Sequence, residues 1–297
     1  MNRWWIYQKE RFPLHAHGPL IAAFSACAVA FSSMLRGAPP PEWQSYFTAF
    51  GVCLLMFFQL RIADEFKDRE EDERWRPYRP VPRGLVKLSE LRVVFIIAAL
   101  LQVALVLAHD IRLLLVLAVA WTYFTLMSVE FFRRDWLKAR PVVYLLSHMG
   151  IMPLVDFFGT ACEWLPRGAS APSGLGWFLT ASFFNGIVIE IGRKLRQPDA
   201  EEEGVETYSA LWGKSGGAAA WLAAMAATLA CAVIAAARIG FVLPVLAALG
   251  SILAIALIIL PRYLRGQLPG KHIESLTGLW TLVLYLMLGI VPLWLRG

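Results

Sequence analysis

Four cysteines in 297 residues are too few and too scattered to staple this chain. Cys27, Cys53, Cys162 and Cys231 each sit in or beside an apolar run, and none forms a C-x-x-C pair. That pattern argues against a disulfide framework or a cysteine zinc site and for reduced packing residues. Charge is scarce too, at 17% of residues against about 25% in an average soluble domain. The formal net charge of +6 has no basic soluble domain to carry it, which argues against nucleic acid as a partner. There is no G-x-S-x-G elbow, no Walker loop and no His/Cys cluster, so familiar hydrolase, nucleotide-binding and zinc chemistries lack their residues. The stretch up to Gly18 holds Trp4, Trp5 and several charges but no short apolar core with a cleavage site, so no removable signal peptide is expected.

What the chain has in abundance is hydrophobicity: 58% of residues are apolar and the mean hydropathy is +0.56, the composition of a membrane protein. Runs of about 17 to 22 mostly apolar residues suffice to cross a hydrocarbon layer of about 30 Å. Such runs lie near 19–35, 43–63, 91–109, 111–130, 141–160, 174–191, 217–237, 239–260 and 275–295. The expected fold is all-α, a polytopic bundle of about nine transmembrane helices forming one domain over 1–297. Positive charge orients it. With the N-terminus cytoplasmic, the opposite side holds only Arg36, Arg112, Arg167, Arg238 and Arg296, while Arg61 and Arg92 lie at inner helix ends. Only the loops after the second and sixth spans, at 61–90 and 190–216, are long and rich in both acids and bases. They are four helices apart and open on the same side, which suggests an internal repeat around a central cavity facing the cytoplasm.

The first of these loops reads RIADEFKDREEDERWRPYRPVPRG from Arg61 to Gly84. Asp64, Asp68 and Asp72 are spaced by four and four, which on a helix stacks three like charges on one face. They repel unless a cation sits among them. A hard ion such as Mg²⁺ binds through one or two carboxylates plus substrate phosphates, so the block reads as a metal and diphosphate site. The alternative is a solvated, charge-laced loop. Arg61 stands one turn before Asp64, and Lys67 adjoins Asp68. The prolines that follow stiffen the loop and hold Arg79 and Arg83 toward phosphate oxygens, for which a guanidinium fork is well shaped; alternatively, those arginines only serve the orienting charge bias.

In the second loop, Asp199 and Glu203 share an i, i+4 spacing suited to a second cation, while Arg193, Lys194 and Arg196 suit a diphosphate. Glu190 ends an apolar run, where an ionisable group is either functional or paired with Arg193 or Lys194 on its own helix. His148, Asp156, Gln59 and Asn185 are expected to hydrogen-bond between helices inside the bundle. Trp121, Tyr123, Phe124, Phe131, Phe132, Phe183 and Phe184 suit either a tunnel that shields a carbocation or the membrane interface.

Nine spans, two charged loops after the second and sixth, and a proline-arginine-glycine stretch together resemble the UbiA-type intramembrane prenyltransferase superfamily over nearly the whole chain. The family's N-x-x-x-D-x-x-x-D motif is met by Asp64, Asp68 and Asp72, with Asp64 in place of asparagine. Its R-P-x-P-x-G pattern is met by Arg79-Pro80-Val81-Pro82-Arg83-Gly84. The second region departs: Gly204-Val205-Glu206-Thr207 fits the family's G-x-x-T turn, but the D-x-x-x-D pair before it is missing. Asp199 and Glu203 are its nearest substitute, and Arg193 and Lys194 lie where acids are often found. The resemblance implies Mg²⁺ bridging Asp68 and Asp72, with Asp64 nearby, to the diphosphate of an isoprenoid donor, and transfer of its prenyl group to an aromatic or lipid acceptor within the bilayer. Transfer of a diphosphate-activated sugar to polyprenyl phosphate, terpene cyclisation, and a non-catalytic carrier on the same scaffold are the alternatives.

Overall fold

A computed structural model describes residues 2–296, and every regular element among them is helical. Lipid offers no partner for backbone N–H and C=O groups, so apolar runs of this length satisfy themselves as helices. In chain order these are α1 (Arg3–Arg11), α2 (Leu14–Leu35), α3 (Trp43–Lys67), α4 (Arg69–Trp75), α5 (Leu88–His109), α6 (Leu113–Ser128) and α7 (Arg134–Lys138). They continue with α8 (Pro141–Met149), α9 (Ile151–Trp164), α10 (Leu175–Gly192), α11 (Tyr208–Arg238), α12 (Val242–Leu264), α13 (Gly270–Tyr285) and α14 (Val291–Trp294), the last two joined by a π-helical turn.

Eight segments are long and apolar enough to cross a membrane, with α8 and α9 counted as one and α13 running on into α14. The fourth expected span, 111–130, is instead the 16-residue α6. At 1.5 Å per residue it is about 24 Å long, shorter than the roughly 30 Å of a hydrocarbon layer. The α8–α9 joint lies at Gly150, and a Cβ there would sit 2.2 Å from the Tyr123 hydroxyl oxygen. That hydroxyl donates to the Ser147 carbonyl at 2.6 Å, tying α6 against the joint.

Helix α2 is central and packs on α3, α9, α13 and the π-helical turn. Phe31 stacks on Phe178 at 4.8 Å, and Phe24 meets Tyr285 edge-on at 5.0 Å. Since lipid tails are as apolar as the side chains, such close packing and interhelical hydrogen bonds hold the bundle together. The Gln59 amide donates to the Phe95 carbonyl, Asn185 accepts from Thr281, and Asp156 accepts from the Tyr285 hydroxyl, all from buried positions. Away from the charged loops, the buried Glu163 carboxylate binds Arg36 at 2.8 Å, Arg167 at 3.3 Å and the Ser32 hydroxyl at 3.0 Å.

The short α1 lies against the first charged loop. Tyr7 is buried with Ile62, Val86 and Leu91, and Arg11 pairs with the buried Glu65. Glu10 reaches Arg83 at 2.9 Å, and Arg3 reaches Glu90 at 2.7 Å.

Candidate active site

Helix α3 runs beyond its expected end near 63 to Lys67, so Arg61, Asp64 and Lys67 lie on its last two turns. Asp68 is the joint with α4, at φ −94° and ψ 9°, and the i to i−4 hydrogen bonds continue across it from Asp68 to Asp64 and from Asp72 to Asp68. The expected continuous helical face thus carries a bend at its middle aspartate. Asp64 and Asp68 line a cavity of about 460 Å³. Asp72 does not. It is 2% exposed and closed off by Arg76 Nε at 2.9 Å and Arg79 Nη1 at 2.7 Å.

The cavity gathers both charged loops. Arg61, Lys67 and Arg79 from the first face Glu190, Arg193 and Lys194 from the second, over an apolar floor that includes Phe57, Leu60 and Met152. The two loops meet at Gly204, whose φ of +72° favours glycine and where a Cβ would sit 2.3 Å from the Trp75 ring. Tyr78 adds a hydrogen bond from its hydroxyl to Glu202 at 2.8 Å.

Nearly every cation in the cavity is braced by a carboxylate. Arg61 binds Asp64 at 3.2 Å, Lys138 binds Glu71 at 2.6 Å, and Glu190 holds Arg193 at 2.5 Å and Lys194 at 2.9 Å. The pairing foreseen as the structural role of Glu190 is therefore present, and it points both cations at the cavity. Asp68 is different: among the described residues it makes no ion pair and no side-chain hydrogen bond, and burial, reinforced by the Asp64 charge, pushes its carboxyl up from the usual range.

Arg83 lies outside the cavity, donating to the Tyr78 carbonyl at 2.8 Å and to Glu10. Asp199, in a short turn at Pro198–Ala200, and Glu203 are exposed and do not line it. The acids that hold that loop are Glu202, bound by Tyr78, and Glu201, which accepts from the Thr207 hydroxyl at 2.7 and 2.8 Å, while Thr207 caps α11 through the Ala210 N–H.

Glu130, Tyr144 and His148 form a cluster that sequence reasoning did not assign to the site. Lys67 Nζ lies 2.6 Å from Glu130 Oε1 and 2.5 Å from the Tyr144 hydroxyl, and His148 Nε2 lies 3.2 Å from Glu130 Oε2. Burial would raise the Glu130 carboxyl, but His148 and Lys67 hold it down to about 2. Glu130, Phe131 and Phe132 all have positive φ, 52°, 49° and 59°. Left-handed backbone costs about 1–2 kcal/mol per L-residue, so tertiary contacts must enforce this turn. Glu130 ends an apolar run just as Glu190 does, and that signal marks both.

Mg²⁺ commonly binds through one or two carboxylates plus substrate phosphates, and Asp64 with the unpaired Asp68 fits that demand. Among the described residues no group of three or more His, Cys, Asp or Glu side chains is placed to hold an ion by itself, so an ion there needs the substrate as a further ligand.

The chain is similar to the solved apo structure of a UbiA homologue from Aeropyrum pernix K1, at 14% identity and a TM-score of 0.70, covering 91% of this chain and 96% of that one. It is also similar to a structure described as digeranylgeranylglyceryl phosphate synthase in membranes, at 15% identity and a TM-score of 0.58, covering 99% of each. At these identities the likeness is one of fold. No curated protein matches the chain. The model of the UbiA prenyltransferase family matches residues 23–283, and the protein belongs to that family.

Proposed function

We propose that the protein transfers a prenyl group from an isoprenoid diphosphate to an aromatic or lipid acceptor, in a reaction that needs Mg²⁺. The observation that carries this reading is Asp68, a half-buried carboxylate without a cation in a cavity where Asp64, Glu71 and Glu190 are each paired. Asp64 and Asp68 would hold the ion, which supplies neutralisation of the charge that builds on the departing diphosphate, a contribution of several kcal/mol as a rough figure. Arg193 and Lys194 line the same cavity and would meet the same diphosphate. The bond that breaks joins the allylic carbon to the diphosphate oxygen, whose electron pair leaves with pyrophosphate. The acceptor forms the new bond to that carbon and gives up a proton. The apolar floor excludes water from the allylic cation. The lopsided distribution of Lys and Arg supports a cavity open to the cytoplasm.

Purified protein in lipid nanodiscs should release pyrophosphate from a prenyl diphosphate only with a divalent ion, and Asp68→Ala should abolish release while the helical content is kept. Metal-independent release would end this proposal. Release of a nucleoside phosphate from a nucleotide sugar in place of pyrophosphate would favour sugar transfer to a polyprenyl phosphate.

A further inference from the structure

The two acids spaced for a second ion, Asp199 and Glu203, lie outside the cavity, and that loop lines it with Arg193, Lys194 and a single acid, Glu206, which has no second free carboxylate beside it on the loop because Glu190 is taken up by the two cations. These two cations are not incidental surface charges. Glu190 sits three and four residues before them at the end of α10, and its carboxylate, 14% exposed, contacts both. The backbone N–H of Arg193 bonds to the Ile189 carbonyl and that of Lys194 to the Ile191 carbonyl, so the chain tightens as α10 ends and both side chains reach Glu190. Lys194 also lies 5.7 Å over the Tyr208 ring, which fixes its ammonium from the α11 side. The C-terminal end of a helix presents partial negative charge, which repels a phosphate unless cations cover it. Here two cations against one carboxylate leave that end net positive. Asp64 and the unpaired Asp68 line the same cavity, and a carboxylate meets a phosphate there through a metal ion between them.

We propose that this site grips a diphosphate by two chemically different ends: one divalent ion at Asp64 and Asp68, and the Glu190-braced pair Arg193 and Lys194 directly, so that the loaded site holds one ion. This rests on the prenyl diphosphate reading above and adds the ion count and the direct cation contacts. The guanidinium of Arg193 gives a bidentate fork, and the ammonium of Lys194 a second point charge.

The test is equilibrium dialysis of the full chain in nanodiscs against Mn²⁺ with a non-hydrolysable prenyl thiodiphosphate, counting bound metal and bound analogue. One Mn²⁺ per bound analogue is expected, and Asp199→Asn with Glu203→Gln should leave that ratio unchanged. A ratio of two, or a drop in the ratio in that double variant, overturns the inference while leaving the diphosphate reading standing. Failure of the analogue to bind at all overturns the diphosphate reading itself. Arg193→Gln with Lys194→Gln should weaken the analogue about 10- to 100-fold and keep one Mn²⁺ per bound analogue. Unchanged analogue affinity in that variant refutes the direct contacts. The wild-type ratio needs no variant, so a substitution that fails to fold cannot rescue the idea.

Discussion

Asp68 and Asp72 stand four residues apart in one motif, yet their amides should change the protein in opposite directions. At Asp68 the carboxylate has no cation, and its neighbours Asp64 and Asp72 are acids that raise its pKa alongside burial. Relieving like-charge contact one helical turn away is worth about 0.2–0.5 kcal/mol per pair, so Asp68→Asn should stabilise the ion-free protein by roughly 0.5–1 kcal/mol. The sign follows from linkage. A carboxyl whose folded-state pKa is raised stabilises the fold fully below the usual value of about 3.9, and that contribution is lost as pH rises through the folded-state value. The ion-free wild type should therefore lose stability across that window, and Asp68→Asn should not. At Asp72 the carboxylate is buried between two guanidiniums whose side chains are 11% and 20% exposed. Removing one partner of a buried pair costs about 3–5 kcal/mol, and the partial exposure of the arginines reduces this to roughly 2–4. At about 1–2 °C per kcal/mol for a chain of this length, Asp72→Asn should lower Tm by about 2–8 °C and Asp68→Asn should raise it by about 1 °C. Thermal unfolding in detergent, with and without Mn²⁺ and pyrophosphate, reads both. The ligands should stabilise wild type by mass action and leave Asp68→Asn unmoved. If Asp72→Asn spares Tm but removes the response to Mn²⁺, or if both amides destabilise equally, the division of labour between the two aspartates is wrong.

Glu130→Gln leaves Lys67 and His148 without their buried carboxylate and should cost about 2–3 kcal/mol of stability, with turnover down at least tenfold; unchanged Tm and kcat would dismiss the cluster. Gly204→Ala meets both a positive φ and the Trp75 ring, so it should cost about 1–3 kcal/mol and loosen the loop contact, seen as faster hydrogen exchange over 72–84 and 198–207. Arg11→Met alone should destabilise by about 2–4 kcal/mol by stranding Glu65, whereas Arg11→Met with Glu65→Leu should recover most of that loss, read by the same melting assay.

Most of the architecture was legible because the length and hydropathy of a run decide whether it can satisfy its backbone in lipid. The helix α6 is shorter than its apolar run because the run continues through Val129 into Glu130, where the left-handed turn of Glu130–Phe132 begins. In the first motif the meeting of Asp64 and Asp68 at one cavity was legible because spacing alone brings them together. Asp72 was not, since its fate depends on the bend at Asp68 and on Arg79 returning from beyond the next helix. The second loop misled for a similar reason: Asp199, Glu201, Glu202 and Glu203 read alike in sequence, and only the cap on Thr207 and the contact with Tyr78 separate the acids that hold the loop from those that face solvent. Partners as distant as Glu130 and Lys67 leave no local trace.

The docking of α1 on residues 62–91 also sets an order of events during synthesis. Helix α1 is made before its partners Glu65, Arg83 and Glu90, which follow only after the membrane segments α2 and α3, so until then Tyr7 and Arg11 stay unpacked. A bulky insertion within α1 would press on the strap that steadies the rim, and its harm would surface as poor maturation of the newly made chain before it surfaced as lost turnover.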